Sequence, residues 1–213
     1  MNGKIQKLAA LKRQCFSCKK CSIAQGDSRV TSPHVFGCGN VNASIVVVGQ
    51  NPGYSETIIK KPFVGDAGKN FDGFLQAILG IERKCIYITN TIKCYTPGNR
   101  PPTDQEIAAC KDFLKQEIEI VQPQVVITLG NYALQYFTKH SGITKCHGEM
   151  EHSEEFNIDV FPMYHPSPLN MNKPLTRQAA EEDFRKLKAL LKGPVDKVSD
   201  IAEDSGISLE GLI

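Results

Sequence analysis

Residues 44–53, Ser-Ile-Val-Val-Val-Gly-Gln-Asn-Pro-Gly, decide the fold. Ile45 to Val48 are β-branched without a break, and they lack the polar–apolar alternation of a strand with one wet face. Such a run suits a strand buried on both faces, hence a sheet covered by helices on both sides. It stops at Gly49, where Gln50-Asn51-Pro52-Gly53 supplies turn-forming residues. Three further runs have the same character: Cys85–Thr89 (CIYIT), Gln124–Leu129 (QVVITL) and Ile158–Met163 (IDVFPM). Helical patterns lie between them. Phe71, Phe74, Leu75, Ile78 and Leu79 mark a helix over 66–80, and Thr103 opens the capping box TDQE of a helix reaching Val121. Residues 131–139, 177–192 and 2–13 also read as helices, and 15–43 as loop. Strand–helix alternation predicts βαβ units and an α/β fold: a three-layer sandwich with a four-stranded parallel sheet.

Composition is that of an ordinary globular chain, with 213 residues, 41% hydrophobic and 23% charged. One domain over 1–192 is expected, followed by an acidic tail, 193–213, read as weakly docked or frayed. A net charge of +2 means that any nucleic-acid surface must be local. No apolar run approaches a membrane span, and the start, MNGKIQKLAALKRQ, lacks the apolar core of a signal peptide. The expectation is a monomer in a reducing cytoplasm, where eight cysteines serve as ligands or buried thiols rather than disulfides.

Ligands of an open α/β sheet bind beyond the carboxyl ends of its strands. Here those ends run into Asn51, Asn90, Gly130-Asn131 and Tyr164-His165. Asn51, Asn90 and His165 should therefore share one rim, and three uncharged hydrogen-bonding side chains there favour a pocket over isolated turn residues. Four cysteines form two distant pairs, Cys18/Cys21 and Cys94/Cys110. A metal bound by all four would tie the N-terminal segment to the middle of the domain. Such a set suits zinc or an iron–sulfur cluster, and spacing does not separate the two.

The strings GQNPG, KPFVGDAGK, ITNTIKC, PGNRPPTDQEIAAC, ITLGNYAL and HPSPLN, in this order over residues 15–192, resemble the iron–sulfur uracil-DNA glycosylases, often called family four of their superfamily. The resemblance implies a monofunctional DNA-repair hydrolase that removes uracil from single- or double-stranded DNA and leaves an abasic site. It implies a 4Fe–4S cluster on Cys18, Cys21, Cys94 and Cys110, in preference to zinc, with no redox step. Cys15 is spare, because CSIAQG follows the second ligand. Cys38, Cys85 and Cys146 are plain thiols.

Breaking the bond between C1′ and N1 passes through an oxocarbenium-like sugar and a departing uracil anion. Catalysis then needs a positioned water, stabilisation of the base and a pocket for an extruded nucleotide. Phe63 suits stacking on the base. Asn90 can accept from N3–H and donate to O4, and a neutral His165 can donate to O2. Gln50 and Asn51 depart from the family's usual glutamate and glycine. Other branches carry GQDP or GxNPG, and by that analogy Asn51 orients the water while Gln50 lines the site. Glu56 is a further candidate near the sugar. Gly53 stands where one branch has a tyrosine that excludes thymine, so bases other than uracil stay open unless Tyr54 closes that side.

DNA contact is expected from Asn99 and Arg100 in PGNRPP, from Ser167 and from Arg177, with Leu169 as a wedge in the base stack. The competing reading is a non-catalytic iron–sulfur DNA-binding module, kept open by the absent carboxylate at Gln50 and Asn51.

Overall fold

The computed structural model describes residues 2–191; the tail expected over 193–213 lies outside them. The chain opens with α1 (Asn2–Phe16), then β1 (Cys38–Gly39) and β2 (Ile45–Gly49). Helices α2 (Tyr54–Ile59) and α3 (Asp66–Phe74) lead to β3 (Tyr87–Asn90). Helix α4 (Asp104–Val121) precedes β4 (Val125–Leu129). Next come α5 (Asn131–Phe137), the short α6 (Ile143–Cys146), β5 (Glu151–Ser153) and β6 (Ile158–Met163), and then α7 (Pro168–Met171) and α8 (Pro174–Leu190).

The sheet order is β1-β3-β2-β4-β6-β5. Strands β3, β2, β4 and β6 are parallel, as the apolar runs predict. The sheet is nevertheless six-stranded and mixed, because β1 and β5 add antiparallel edges. These edges span two and three residues, too few to carry a periodic signal. Residues 15–43, read as loop, also hold a 3₁₀ turn at Ser22–Gln25.

Both sheet faces are buried. Ile45 and Val47 pack with Phe71, Phe74, Phe184 and Leu187 of α3 and α8. Val46 and Val48 pack with Leu8, Leu11, Leu114 and Ile118 of α1 and α4. Each such side chain contributes about 1.5–3 kcal/mol when fully buried. Thr103 caps α4 as expected: its Oγ1 accepts from the Glu106 amide at 3.3 Å, and the Glu106 carboxylate accepts from the Thr103 amide at 2.8 Å. Helix α8 starts earlier than its periodicity suggests, because Pro174 suits a first helical turn. The chain leaves β2 for β3 on one side, then returns to β4 on the other. The crevice at this reversal lies beyond the carboxyl ends of β2 and β4. Among the described residues, no helix is long and apolar enough to cross a membrane.

Candidate active site and thiol centre

Gly49, the last residue of β2, sits in register with Asn90, the last of β3. A Cβ on Gly49 would lie 2.5 Å from Phe63 Cε2 and 2.6 Å from Asn90 Oδ1. Only a glycine lets the phenyl ring and the carboxamide approach the backbone so closely. The Phe63 ring also lies 6.0 Å from the His165 ring, tilted by 37°. Phe63, Asn90 and His165 are therefore gathered at one end of the sheet.

Asn90 is 2% exposed, and both Oδ1 and Nδ2 are buried without a hydrogen-bond partner. Native interiors pair such atoms, and each unpaired group costs about 1–3 kcal/mol. An orphaned donor and acceptor on one planar group is what a pocket for a planar, hydrogen-bonding ligand requires. Burial pulls the His165 imidazole down from 6.5 to about 4, so the ring is neutral at physiological pH and keeps one N–H to donate. Its loop is fixed from outside: Asn170 Nδ2 donates to the His165 carbonyl, and Asn70 Nδ2 to that of Pro166, each at 2.9 Å.

The backbone of Phe63 has φ +55°, a conformation that bulky residues rarely adopt. Its neighbours hold it there. Glu56 Oε2 accepts from the Gly53 amide at 2.7 Å and Oε1 from the Val64 amide at 3.2 Å. Arg83 reaches the Pro62 carbonyl while pairing with Asp72 at 3.0 Å. Glu56, singled out for chemistry near the sugar, thus has its carboxylate engaged by backbone amides. Burial nevertheless pushes its acidity weaker than usual.

Asn51 sits half-buried past β2, and its Nδ2 lies 2.8 Å from Asn99 Oδ1 and 3.2 Å from Thr96 Oγ1. The turn after β2 is thereby joined to the PGNR loop. Gln50 braces the same turn through its carbonyl, which accepts from Thr91 Oγ1 at 2.6 Å. Arg100 makes a two-pronged pair with Glu106, at 2.9 and 2.6 Å, so its guanidinium anchors that loop to α4. Tyr54 is 52% exposed and packs edge-on against Tyr95. Ser167 precedes α7. Leu169 projects from it at 76% exposure, and Arg177 lies over the Phe74 ring while pairing with Glu181.

The four singled-out cysteines come together. Cys94, Cys21 and Cys110 share one apolar cluster with Ile23, Ala24 and Ile92. Burial pushes the pKa of the Cys94 thiol well above its usual range, and the neighbouring Cys110, Cys21 and Cys18 push it further up. Cys110 is pushed up to about 11, chiefly by burial, and its sulfur accepts from the Lys93 amide at 3.2 Å. His34 clamps the two segments: its Nε2 lies 3.1 Å from the Cys18 carbonyl, and its backbone bridges to Cys94. Crowded buried thiols do not ionise unaided, but they do so as ligands of a cation. Cys15 is fully buried in α1, close enough to sense the charges of Cys94 and Cys110.

Sequence reasoning missed Lys93 and Glu117, which are 1% exposed each and ion-paired. Lys93 Nζ also donates to Thr89 Oγ1 and to the Asn90 carbonyl, both at 2.7 Å. Glu117 accepts from the Tyr87 hydroxyl at 2.9 Å and the Gly37 amide at 3.2 Å. The signal was present: Glu117 interrupts the buried stripe Phe113, Leu114, Ile118 and Val121 of α4.

The family model described as the uracil DNA glycosylase superfamily matches residues 36–189. A type-4 uracil-DNA glycosylase of Sulfurisphaera tokodaii is 39% identical over 194 residues, covering 88% of this chain and 86% of its own. Proteins of the same name from Thermotoga maritima and Archaeoglobus fulgidus are 40% and 34% identical, covering 74% and 86% of this chain and 83% and 92% of theirs. With Phe63, Asn90 and His165 gathered at the sheet's end and its thiols drawn together, the chain belongs to the uracil DNA glycosylase superfamily, in its type-4 branch.

Proposed function

We propose that the protein hydrolyses the N-glycosidic bond of deoxyuridine in DNA, releasing uracil and leaving an abasic site without cutting the strand. The observation that carries this reading is the buried Asn90 carboxamide, unpartnered at both atoms, beside Phe63 and His165. Uracil offers an N3–H donor beside an O4 acceptor, the pattern that would satisfy Asn90 Oδ1 and Nδ2 together. Cytosine reverses that polarity. An extruded uracil would stack on Phe63.

As the C1′–N1 bond dissociates, its electron pair leaves with the base. The neutral His165 N–H stabilises charge growing on O2. Water adds to C1′ and keeps one hydrogen as the new hydroxyl, while its other proton passes through solvent to the departing uracil anion. Asn51, its Nδ2 engaged by Asn99 and Thr96, presents Oδ1 to orient that water. An amide is no general base, so the oxocarbenium character of the sugar must do more of the work. Glu56 acts as a positioning residue that fixes Phe63, and Arg100 positions the Asn99 loop. Leu169 wedges into the stack, with Ser167 and Arg177 beside the strand. Cys18, Cys21, Cys94 and Cys110 would hold a 4Fe–4S cluster, which when bound fastens the N-terminal segment to the loop after β3 and takes no part in bond breaking.

The test is single-turnover excision on U·G, U·A and single-stranded oligonucleotides, followed by alkali cleavage. Abasic product from uracil, and none from cytosine, is expected. Binding of these oligonucleotides without abasic product would make the chain a DNA-binding module instead. Stoichiometric zinc without iron would overturn the cluster.

A further inference from the structure

At the edge of the sheet remote from the thiol centre, we propose that His140, Cys146 and Glu151 form a second metal site, for zinc. They come from three places: the loop after α5, the last residue of α6 and the first residue of the edge strand β5. Their ligand atoms all lie within 4.8 Å of one another, and His140 Nδ1 is 2.9 Å from Glu151 Oε2. Tetrahedral zinc, with bonds of about 2.0–2.3 Å to nitrogen, oxygen and sulfur, places its ligand atoms about 3.3–3.8 Å apart. The closest pair is thus slightly tighter than such a shell and the widest up to about an ångström looser, a gap that side-chain rotation can close.

The donors select the ion. One thiolate, one imidazole and one carboxylate suit zinc, whereas magnesium and calcium prefer all-oxygen shells. The His140 side chain is 63% exposed, which gives the ion a way in and leaves a fourth position for water. The loop is supported from behind: the His140 amide donates to Thr138 Oγ1 at 3.2 Å, and Asn131 Oδ1 accepts from the Gly142 amide at 2.7 Å. On binding, Cys146 releases its thiol proton and the hydrogen bond between His140 and Glu151 is replaced by bonds to the ion. The sheet order puts β1 and β3, beside the thiol centre, at one edge and β5 at the other, so the two sites are separate. The ion would act as a clip, pinning residues 138–146 to an edge strand of three residues.

The experiment uses the untagged full chain with its thiol centre loaded. Zinc is added, excess is removed, and metal content is measured alongside iodoacetamide modification of Cys146 by peptide mass mapping. The expected result is one zinc equivalent beyond the thiol centre's metal, with Cys146 protected by zinc and unprotected by magnesium. His140→Ala, Cys146→Ser and Glu151→Gln should each lose that equivalent while iron content and uracil excision stay unchanged. Cys146 reacting equally with and without zinc, or the same equivalent retained in all three variants, overturns the site. Because excision is read separately, failure here is distinguishable from failure of the glycosylase assignment.

Discussion

Lys93 Nζ donates to the carbonyl oxygen of Asn90 at 2.7 Å, so the residue whose side chain is unpartnered is held firmly by its backbone. The same ammonium pairs with Glu117 on α4, and the Lys93 amide reaches Cys110. One buried residue thus touches the pocket strand, the helix behind it and the thiol centre. Removing one partner of a buried pair strands the other charge, at about 3–5 kcal/mol. Lys93→Met and Glu117→Met should each destabilise by that order in urea unfolding. The double variant Lys93→Met/Glu117→Met should lose clearly less than the sum. Additive losses would mean that the pair is not coupled.

Asn90→Leu should move stability and activity in opposite directions. Leucine has a similar shape and carries no polar atoms, so it removes two buried unpartnered groups. A gain of about 1–3 kcal/mol is expected in urea unfolding. Single-turnover excision of uracil should fall by roughly 10²–10³-fold, the usual consequence of losing one preorganised hydrogen-bonding group. A variant that is less stable than the parent and equally active would remove Asn90 from the pocket's chemistry.

The convergence of Asn90 and His165 was legible because a parallel sheet sends all its carboxyl ends to one rim, so a polar residue after an apolar run is placed by topology alone. The two pairs of cysteines were legible as spacing. What was hidden depends on side chains meeting across the chain. Gly49 reads as the end of a strand, yet its missing Cβ is what admits Phe63 and Asn90. Glu56 reads as a carboxylate near the sugar, but backbone amides claim it, and nothing in local sequence announces that Val64 is one of its partners. Phe63 gives no hint of its positive φ, which tertiary contacts impose. Lys93, in the turn that follows β3, finds its partner on a helix 24 residues away.

Gly49→Ala tests how tightly the pocket is built. The new methyl would sit 2.5 Å from Phe63 Cε2. The ring cannot retreat easily, because Gly68 lies against the Phe63 carbonyl and Glu56 holds Val64. Overpacking of this kind costs about 1–3 kcal/mol. The variant should lose kcat/KM for uracil by at least tenfold, while its affinity for an abasic-site duplex, which leaves the base pocket empty, stays near the parent's. Equal losses in both measurements would point to general misfolding rather than pocket closure.

The lowered pKa of His165 makes a signed pH prediction. Burial lowers it from 6.5 to about 4, so the folded protein holds this ring neutral where the unfolded chain would protonate it. The stability attached to this group is therefore complete above pH 6.5, declines as the pH falls below that value, and is fully lost below about pH 4. A shift of that size corresponds to about 3 kcal/mol at the acid end. Unfolding free energies of the parent and His165→Gln, measured between pH 7 and 4, should diverge by up to that amount, with the parent showing the steeper decline. Excision should stay insensitive to His165 protonation down to about pH 5, because the donor remains neutral there. An activity profile that instead bends near 6.5 and follows His165 would mean that the ring is solvated and charged in the working enzyme, and a neutral donor to O2 could not be maintained.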